Sequence, residues 1–173
     1  MQVAGAMEFD IPTNSVRFRL FDETADAPTP FKLAGWRGCA LDHDRYDHTR
    51  LPRALFDALI LESASTKLLI ERFAPDNDSP DVVEASWEAF RAHMYAPQNW
   101  CLEFTLFDDS QRWAVLADAD VIVVGVEPAL AEKVDANLRA QGSSLADLTD
   151  ADFPASDTDI QQWTDFLRAV VGR

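Results

Sequence analysis

The chain is poor in cysteine, with only Cys39 and Cys101 among its 173 residues. The two lie far apart in the sequence and form no CxxC pair, so neither a disulfide framework nor a zinc ribbon is expected. Disulfide-rich domains are typical of secreted proteins, and their absence favours a reducing compartment. Residues 1–7 contain no basic residue and do not resemble a signal peptide. We therefore expect a cytoplasmic protein.

The sequence also lacks a long hydrophobic run. Its longest strictly apolar stretch, Val121–Val126, is far shorter than the roughly 20 residues that a membrane-spanning helix needs. The glycines form neither a GxGxxG fingerprint nor a phosphate-binding loop, and the serines form no nucleophile elbow. The sequence therefore predicts no membrane span and no cofactor.

Basic residues are scarce. There are 15 Lys and Arg against 30 Asp and Glu, which gives a net charge of −15 at pH 7. Between Arg139 and Arg168 the chain has no base but carries six aspartates: Asp147, Asp150, Asp152, Asp157, Asp159 and Asp165. Nucleic acids and anionic membranes bind through clustered Lys and Arg, so the composition argues against both as partners. A basic protein partner fits the charge, and the alternative is that the acidity serves solubility alone.

A hydrophobic pattern over residues 100–126 predicts a three-stranded antiparallel meander. The strands are residues 100–107, 112–117 and 121–126, joined by turns rich in Asp and Ser. A two-residue turn at Asp109 and Ser110 would place Phe104 opposite Val115, and a second tight turn would place Ala117 opposite Ile122. One face is then entirely apolar and consists of Trp100, Leu102, Phe104, Leu106, Trp113, Val115, Ala117, Ile122, Val124 and Val126. The opposite face is mixed, so we expect it to be only partly covered.

Hydrophobic periodicity and capping residues predict further elements along the chain. They are strands over 16–21 and 68–73, and helices over 52–62, 79–96, 128–140 and from Asp157 or Thr158 to Val171. A second helical piece is the alternative for residues 68–73. Residues 32–40 show no clear periodicity. The pattern as a whole predicts an α+β fold in a single domain, residues 1–173, with helices on at least one face of an antiparallel sheet.

Potential metal ligands are densest at Asp42, His43, Asp44, Asp47 and His48. Imidazole and carboxylate groups together suit a divalent metal. The spacing of the two histidines matches no metal-hydrolase motif, and a polar loop or helix cap is the alternative interpretation. The paired aspartates at 108 and 109 and at 118 and 120 fall at predicted turns, and turn chemistry explains them.

A role in partner binding is the working hypothesis for function. The residues nominated are Trp36, Asp147, Asp150 and Asp152, because aromatic side chains dominate interface energetics and carboxylates suit a basic partner. Burial of Trp36 in the core is an alternative with equal support from the sequence. The hypothesis is a non-enzymatic acidic protein that inhibits a basic protein, in the manner of an immunity protein. The two alternatives are a metal-dependent enzyme that uses the 42–48 segment and a structural subunit that self-associates as a homodimer through the mixed sheet face or the last helix.

Overall fold

The computed structural model describes residues 15–22, 30–42, 51–73, 79–99, 101, 103–118, 121–149 and 159–172. Within them the helices are α1 (Val16–Leu20), α2 (Arg53–Ser63), α3 (Trp87–Met94), α4 (Pro128–Ala140) and α5 (Asp159–Val171). The strands are β1 (Arg37–Asp42), β2 (Lys67–Arg72), β3 (Asp81–Glu84), β4 (Phe104–Asp108), β5 (Trp113–Ala117) and β6 (Val121–Val126).

The six strands form one antiparallel sheet in the order β1-β6-β5-β4-β2-β3. Helices α2, α3 and α4 contribute to the core on one face of this sheet, and α1 and α5 contribute to the core on the other. The predicted α+β fold, with an antiparallel meander and helices on at least one face, is confirmed.

The predicted register of the meander is confirmed at one turn and wrong at the other. Ala117 pairs with Ile122, as expected. Phe104, however, pairs with Ala117 and not with Val115, a slip of two residues between β4 and β5. The cause is a longer turn, in which the backbone at Gln111 adopts a left-handed conformation with φ of 51°. A slip of two residues preserves the face to which each side chain points, so the predicted apolar face survives for its described members.

The second face of the sheet is more deeply covered than the mixed pattern indicated. Phe107, Ala114, Leu116 and Val123 are buried there, beneath α1, residues 31–36 and α5. The expectation of partial cover is therefore wrong for these central strands. The sequence predicts a strand over residues 16–21, but residues 16–20 fold as α1, and Phe21 after it forms an isolated β-bridge with Phe31. This difference explains the additional cover.

Side-chain contacts explain why α1 forms despite a sequence that alternates like a strand. The Ser15 hydroxyl accepts a hydrogen bond from the amide of Arg17, and the Glu71 carboxylate accepts one from the amide of Val16. Arg17 is buried, lies 4.5 Å from the centre of the Phe73 ring and pairs with Glu103 at 3.3 Å. These tertiary contacts outweigh the local pattern.

The predicted helix over 79–96 is wrong in its first half and confirmed in its second. Residues 81–84 form strand β3, and the true N-cap is Ser86, whose hydroxyl accepts a hydrogen bond from the amide of Ala89 at 3.2 Å. Two adjacent β-branched residues, Val82 and Val83, favour the strand. The predicted helices corresponding to α2 and α4 and the strand β2 are confirmed, as is the described part of α5.

Asp108 joins the β4–β5 turn to the end of α2. Its carboxylate is buried and accepts hydrogen bonds from the amides of Ser110 and Gln111 at 3.1 and 3.0 Å. It also accepts a hydrogen bond from the hydroxyl of Ser65, at 2.5 Å. Ser63 lies 2.5 Å from Ser65 and accepts a hydrogen bond from the indole of Trp113. Asp108 therefore holds a turn and a helix end together, which is a structural task.

Asp108→Ala is expected to destabilise the protein by at least about 2 kcal/mol, because several donors lose a charged acceptor. The adjacent Asp109 is exposed and provides a matched control, since Asp109→Ala should cost less than about 0.5 kcal/mol. Urea denaturation of both variants measures the two changes. Equal changes would contradict the structural role of Asp108.

Candidate functional site

The predicted metal site lies almost entirely outside the described residues. The backbone of Asp42 ends β1, while His43, Asp44, Asp47 and His48 are not among the residues that the structure describes. In the described part of the chain, no group of three His, Cys, Asp or Glu side chains could hold a metal ion. The 42–48 site stays a prediction, and metal analysis of the purified protein with His43→Ala as a control would test it.

The residues nominated for partner binding have different surroundings. Trp36 is only 7% exposed, and its ring packs 6.3 Å from that of Phe31 above Gly125. It therefore belongs to the second core, which was the alternative interpretation of this residue. Asp147 is exposed, and its carboxylate accepts a hydrogen bond from the Ser144 hydroxyl at 2.6 Å. Asp150 and Asp152 lie outside the described residues.

An open cleft between the start of α2 and α3 is the strongest candidate site in the described part of the chain. Its volume is about 340 Å³, and it is lined by Arg53, Trp87, Glu88, Arg91, Ala92 and Tyr95. All of these except Arg53 come from α3 or the residue that follows it. Aromatic and arginine side chains are enriched at protein interfaces and carry much of their binding energy.

The core fixes the floor of this cleft. Phe56 on α2 packs edge-on against Trp87, with ring centres 5.2 Å apart, and stacks on Phe90 at 5.4 Å. Phe56 and Phe90 are fully buried, whereas Trp87 is only partly buried. Trp87 thus presents one part of its ring to the core and another to the surface. Because the core already holds the ring, binding of a partner would cost little further side-chain entropy.

The charged groups above this floor are of two kinds. One kind forms ion pairs, and the other is an arginine that lies against aromatic rings. Arg53 lies 3.3 Å from both Asp57 and Glu88. The guanidinium of Arg91 lies 5.3 Å from the centre of the Tyr95 ring and 6.0 Å from that of Trp87. The guanidinium of Arg91 makes no ion pair or hydrogen bond with the described residues, and the side chain is exposed to solvent. This arrangement suits the recognition of a mixed polar and aromatic surface.

The sequence contained a signal for this cleft that hydrophobic periodicity did not use. Trp87, Arg91 and Tyr95 follow one another at intervals of four, which places them on one side of a helix. Hydrophobic periodicity counts only apolar residues, so it gives no role to Arg91.

A second polar cluster anchors α3 to the sheet. Asp81 on β3 accepts a hydrogen bond from Arg72 at 2.6 Å, and Nε2 of His93 lies 3.3 Å from the same carboxylate oxygen. Nε2 of His93 is buried and has no hydrogen-bond partner among the described residues, so it does not donate to this oxygen. Asn99 donates to the backbone carbonyl of His93 at 3.0 Å. The cluster fixes the position of α3 relative to β3 and so stabilises the cleft.

The thiol beside this cluster is unsuited to nucleophilic chemistry. Burial raises the pKa of Cys101 from 9.0 to about 11, Arg72 opposes the shift, and Asp81 and Glu103 add to it. Reactive cysteines have a lowered pKa, because the thiolate is the nucleophile. Cys101 is protonated at neutral pH and only 7% exposed, which indicates a structural thiol.

Comparison with known proteins gives no match to a protein family, to a curated protein or to a solved structure. Among the helices in the described part of the chain, none combines the length and apolar character required to cross a bilayer.

Cys101→Ala is expected to reduce the unfolding free energy that the protein loses when the pH is raised into the alkaline range. Between pH 9.0 and about 11 the unfolded chain ionises this thiol while the folded chain keeps it protonated, so stability falls as the pH rises. From about pH 7.5 to about pH 10.5, the wild type should lose about 2 kcal/mol more unfolding free energy than the variant. Urea denaturation at both pH values measures this, and identical losses would refute a buried protonated thiol.

Proposed function

We propose that this chain is a non-enzymatic binding protein whose α2–α3 cleft docks onto a basic protein partner and inhibits it. The observation that carries the proposal is the half-exposed aromatic and arginine surface formed by Trp87, Arg91 and Tyr95. Tyr95 is 48% exposed, although its ring is large and apolar. Covering this surface with a partner would remove apolar area from water and engage the exposed guanidinium.

Net charge supports the basic character of the partner. A chain with a charge of −15 attracts a positively charged protein over a distance set by the ionic strength. Exposed Asp109 and Glu132 make no ion pair with the described residues, so they contribute their full charge to this attraction. Asp147, which the sequence nominated, is also exposed. The charges raise the association rate, and the cleft supplies the close contacts.

The location of the protein is part of the same proposal. Both cysteines are buried and they form no CxxC pair, and a chain so poor in cysteine fits a reducing compartment. We therefore propose a cytoplasmic protein that meets its partner inside the cell.

A photo-reactive phenylalanine analogue at position 95 tests the proposal in cells. We expect it to crosslink a protein with an isoelectric point above about 9, because the cleft and the net charge act together. The control is the same analogue at Leu33, which is exposed in the segment that covers the opposite face of the sheet. It should not crosslink that protein. An acidic partner, or equal crosslinking from both positions, would refute the proposal.

Direct binding of the purified partner provides the quantitative test. Tyr95→Ala and Arg91→Ala should each weaken binding at least about 30-fold, whereas Leu33→Ala should change it less than about threefold. Raising the salt concentration from about 50 mM to about 500 mM should weaken binding at least about tenfold, because it screens the attraction. Calorimetric titration measures both effects, and an affinity that does not depend on salt would contradict association led by charge.

A further inference from the structure

Strand β3 is an edge of the sheet, and its outer side has no strand partner among the described residues. It pairs only with β2 there, with Leu69 opposite Val82 and Lys67 opposite Glu84. Val82 is 61% exposed, which is a high value for a β-branched residue in a strand. An unpaired edge of this kind is a template for another strand.

The hydrogen-bond pattern shows which backbone groups of β3 point outward. The amide of Ala85 donates to the carbonyl of Thr66 on the β2 side, in the same register as the rest of the pair. Successive residues of an antiparallel strand alternate between bonding inward and outward. Residues 81, 83 and 85 therefore bond to β2, and the N–H and C=O groups of Val82 and Glu84 point away from it. Of these four groups, the C=O of Glu84 already accepts a hydrogen bond from the amide of Ser86 at 2.8 Å.

The opposite edge of the sheet is protected. By the same alternation, Ala40 on β1 directs its amide outward, and there it donates to the hydroxyl of Thr149 at 3.4 Å. The hydroxyl of Thr149 in turn donates to the carbonyl of Leu145. The segment that follows α4 thus covers β1 at Ala40. On β3, the outward amides of Val82 and Glu84 and the C=O of Val82 have no hydrogen-bond partner in the described part of the chain.

We propose that β3 pairs with β3 of a second copy of this chain, in an antiparallel arrangement about a two-fold axis through Val83. Residue 82 of each copy then lies opposite residue 84 of the other. The amide of each Glu84 donates to the C=O of the other copy's Val82, and the amide of each Val82 donates to the C=O of the other copy's Glu84. These four backbone hydrogen bonds use the second lone pair of the Glu84 C=O, because the first accepts from the amide of Ser86. Val83 meets its symmetry mate on the side of the sheet where it already packs against the main core. The arrangement is closed, because the same patch is used by both copies.

Local charge favours a second copy over a basic partner at this edge. Asp81 is paired with Arg72 at 2.6 Å, and Glu84 stands opposite Lys67 in the register. Each carboxylate of β3 therefore has a base beside it on β2, although the whole chain carries −15. A locally neutral edge gives a basic strand no electrostatic advantage, and it limits the repulsion between two acidic copies where they meet. The chosen register also keeps the two Glu84 side chains from lying directly opposite each other.

Sedimentation of the full chain over a concentration series tests the proposal. We expect monomer at about 1 μM and dimer at about 100 μM, as befits a small contact built on four backbone hydrogen bonds. Higher salt should strengthen the dimer, because it screens the repulsion between acidic copies. This salt dependence is opposite to that expected for the basic partner, so each proposal can fail without the other.

Val82→Pro is the decisive variant, and Val82→Thr is its matched control. Proline removes the outward N–H of residue 82 without removing an inward bond to β2, and an edge strand tolerates it there. Threonine keeps the N–H and the β-branched shape. Val82→Pro should raise the dimer dissociation constant at least about tenfold, and Val82→Thr should change it less than about threefold.

Amide exchange in the wild-type chain gives a readout that does not depend on a variant. The amides of Val82 and Glu84 should exchange at least about tenfold more slowly at about 100 μM than at about 1 μM. The amide of Leu33, far from β3, should exchange equally at both concentrations. A chain that is monomeric throughout, or a dimer in which the exchange of residues 82 and 84 is unchanged, would overturn the proposal.

Discussion

Burial of the central strands on both faces is the constraint on which the rest of this structure depends. The residues of β4 and β5 are buried without exception. The hydroxyl of Thr105 on β4 has no hydrogen-bond partner in the described part of the chain, but a buried charged group needs a partner within the protein. Asp108 meets this need at one end of β4 through the amides of its own turn. Arg17 does so beneath the second face, through Phe73 and Glu103. Both polar groups join elements that are distant in sequence, so satisfying them also fixes how the helices sit on the sheet.

The sequence predicted those parts of the fold in which local pattern and tertiary packing agree. The faces of the meander were correct because alternation survives a slip of two residues, as the pairing of Phe104 with Ala117 shows. Helices α2 and α4 were correct because their apolar spacing matches what they bury. The strand predicted for residues 16–21 was wrong because the contacts that favour a helix there come from Glu71 and Phe73. Both residues lie too far along the chain for a local sequence window to include them. The helix predicted over the residues of β3 was wrong because Ser79 and Pro80 resemble the start of a helix. The residue that caps α3 is Ser86.

The candidate site was harder to predict than the fold, for a related reason. Trp36 and Trp87 are each followed by a charged residue in the sequence, and only the packing of Phe31 and Phe56 determines which ring is covered. The charges behave similarly. Composition gives the net value, but it does not reveal that Asp135 is buried beside Arg37 at 3.3 Å while Glu132 on the same helix is exposed. Surface chemistry is thus a property of the assembled layers, and a count of residue types describes only its total.

The placement of α3 on the same side of the sheet as the core helices, and beside β3, has a geometric consequence. A two-fold axis perpendicular to a sheet leaves each face of that sheet on its original side. Two chains joined along β3 would therefore present both clefts toward the same half-space, with the helices side by side. The dimer could then bind two neighbouring copies of a repeated target at once. After the first cleft has bound, the binding of the second depends on its effective concentration near the target and not on the bulk concentration.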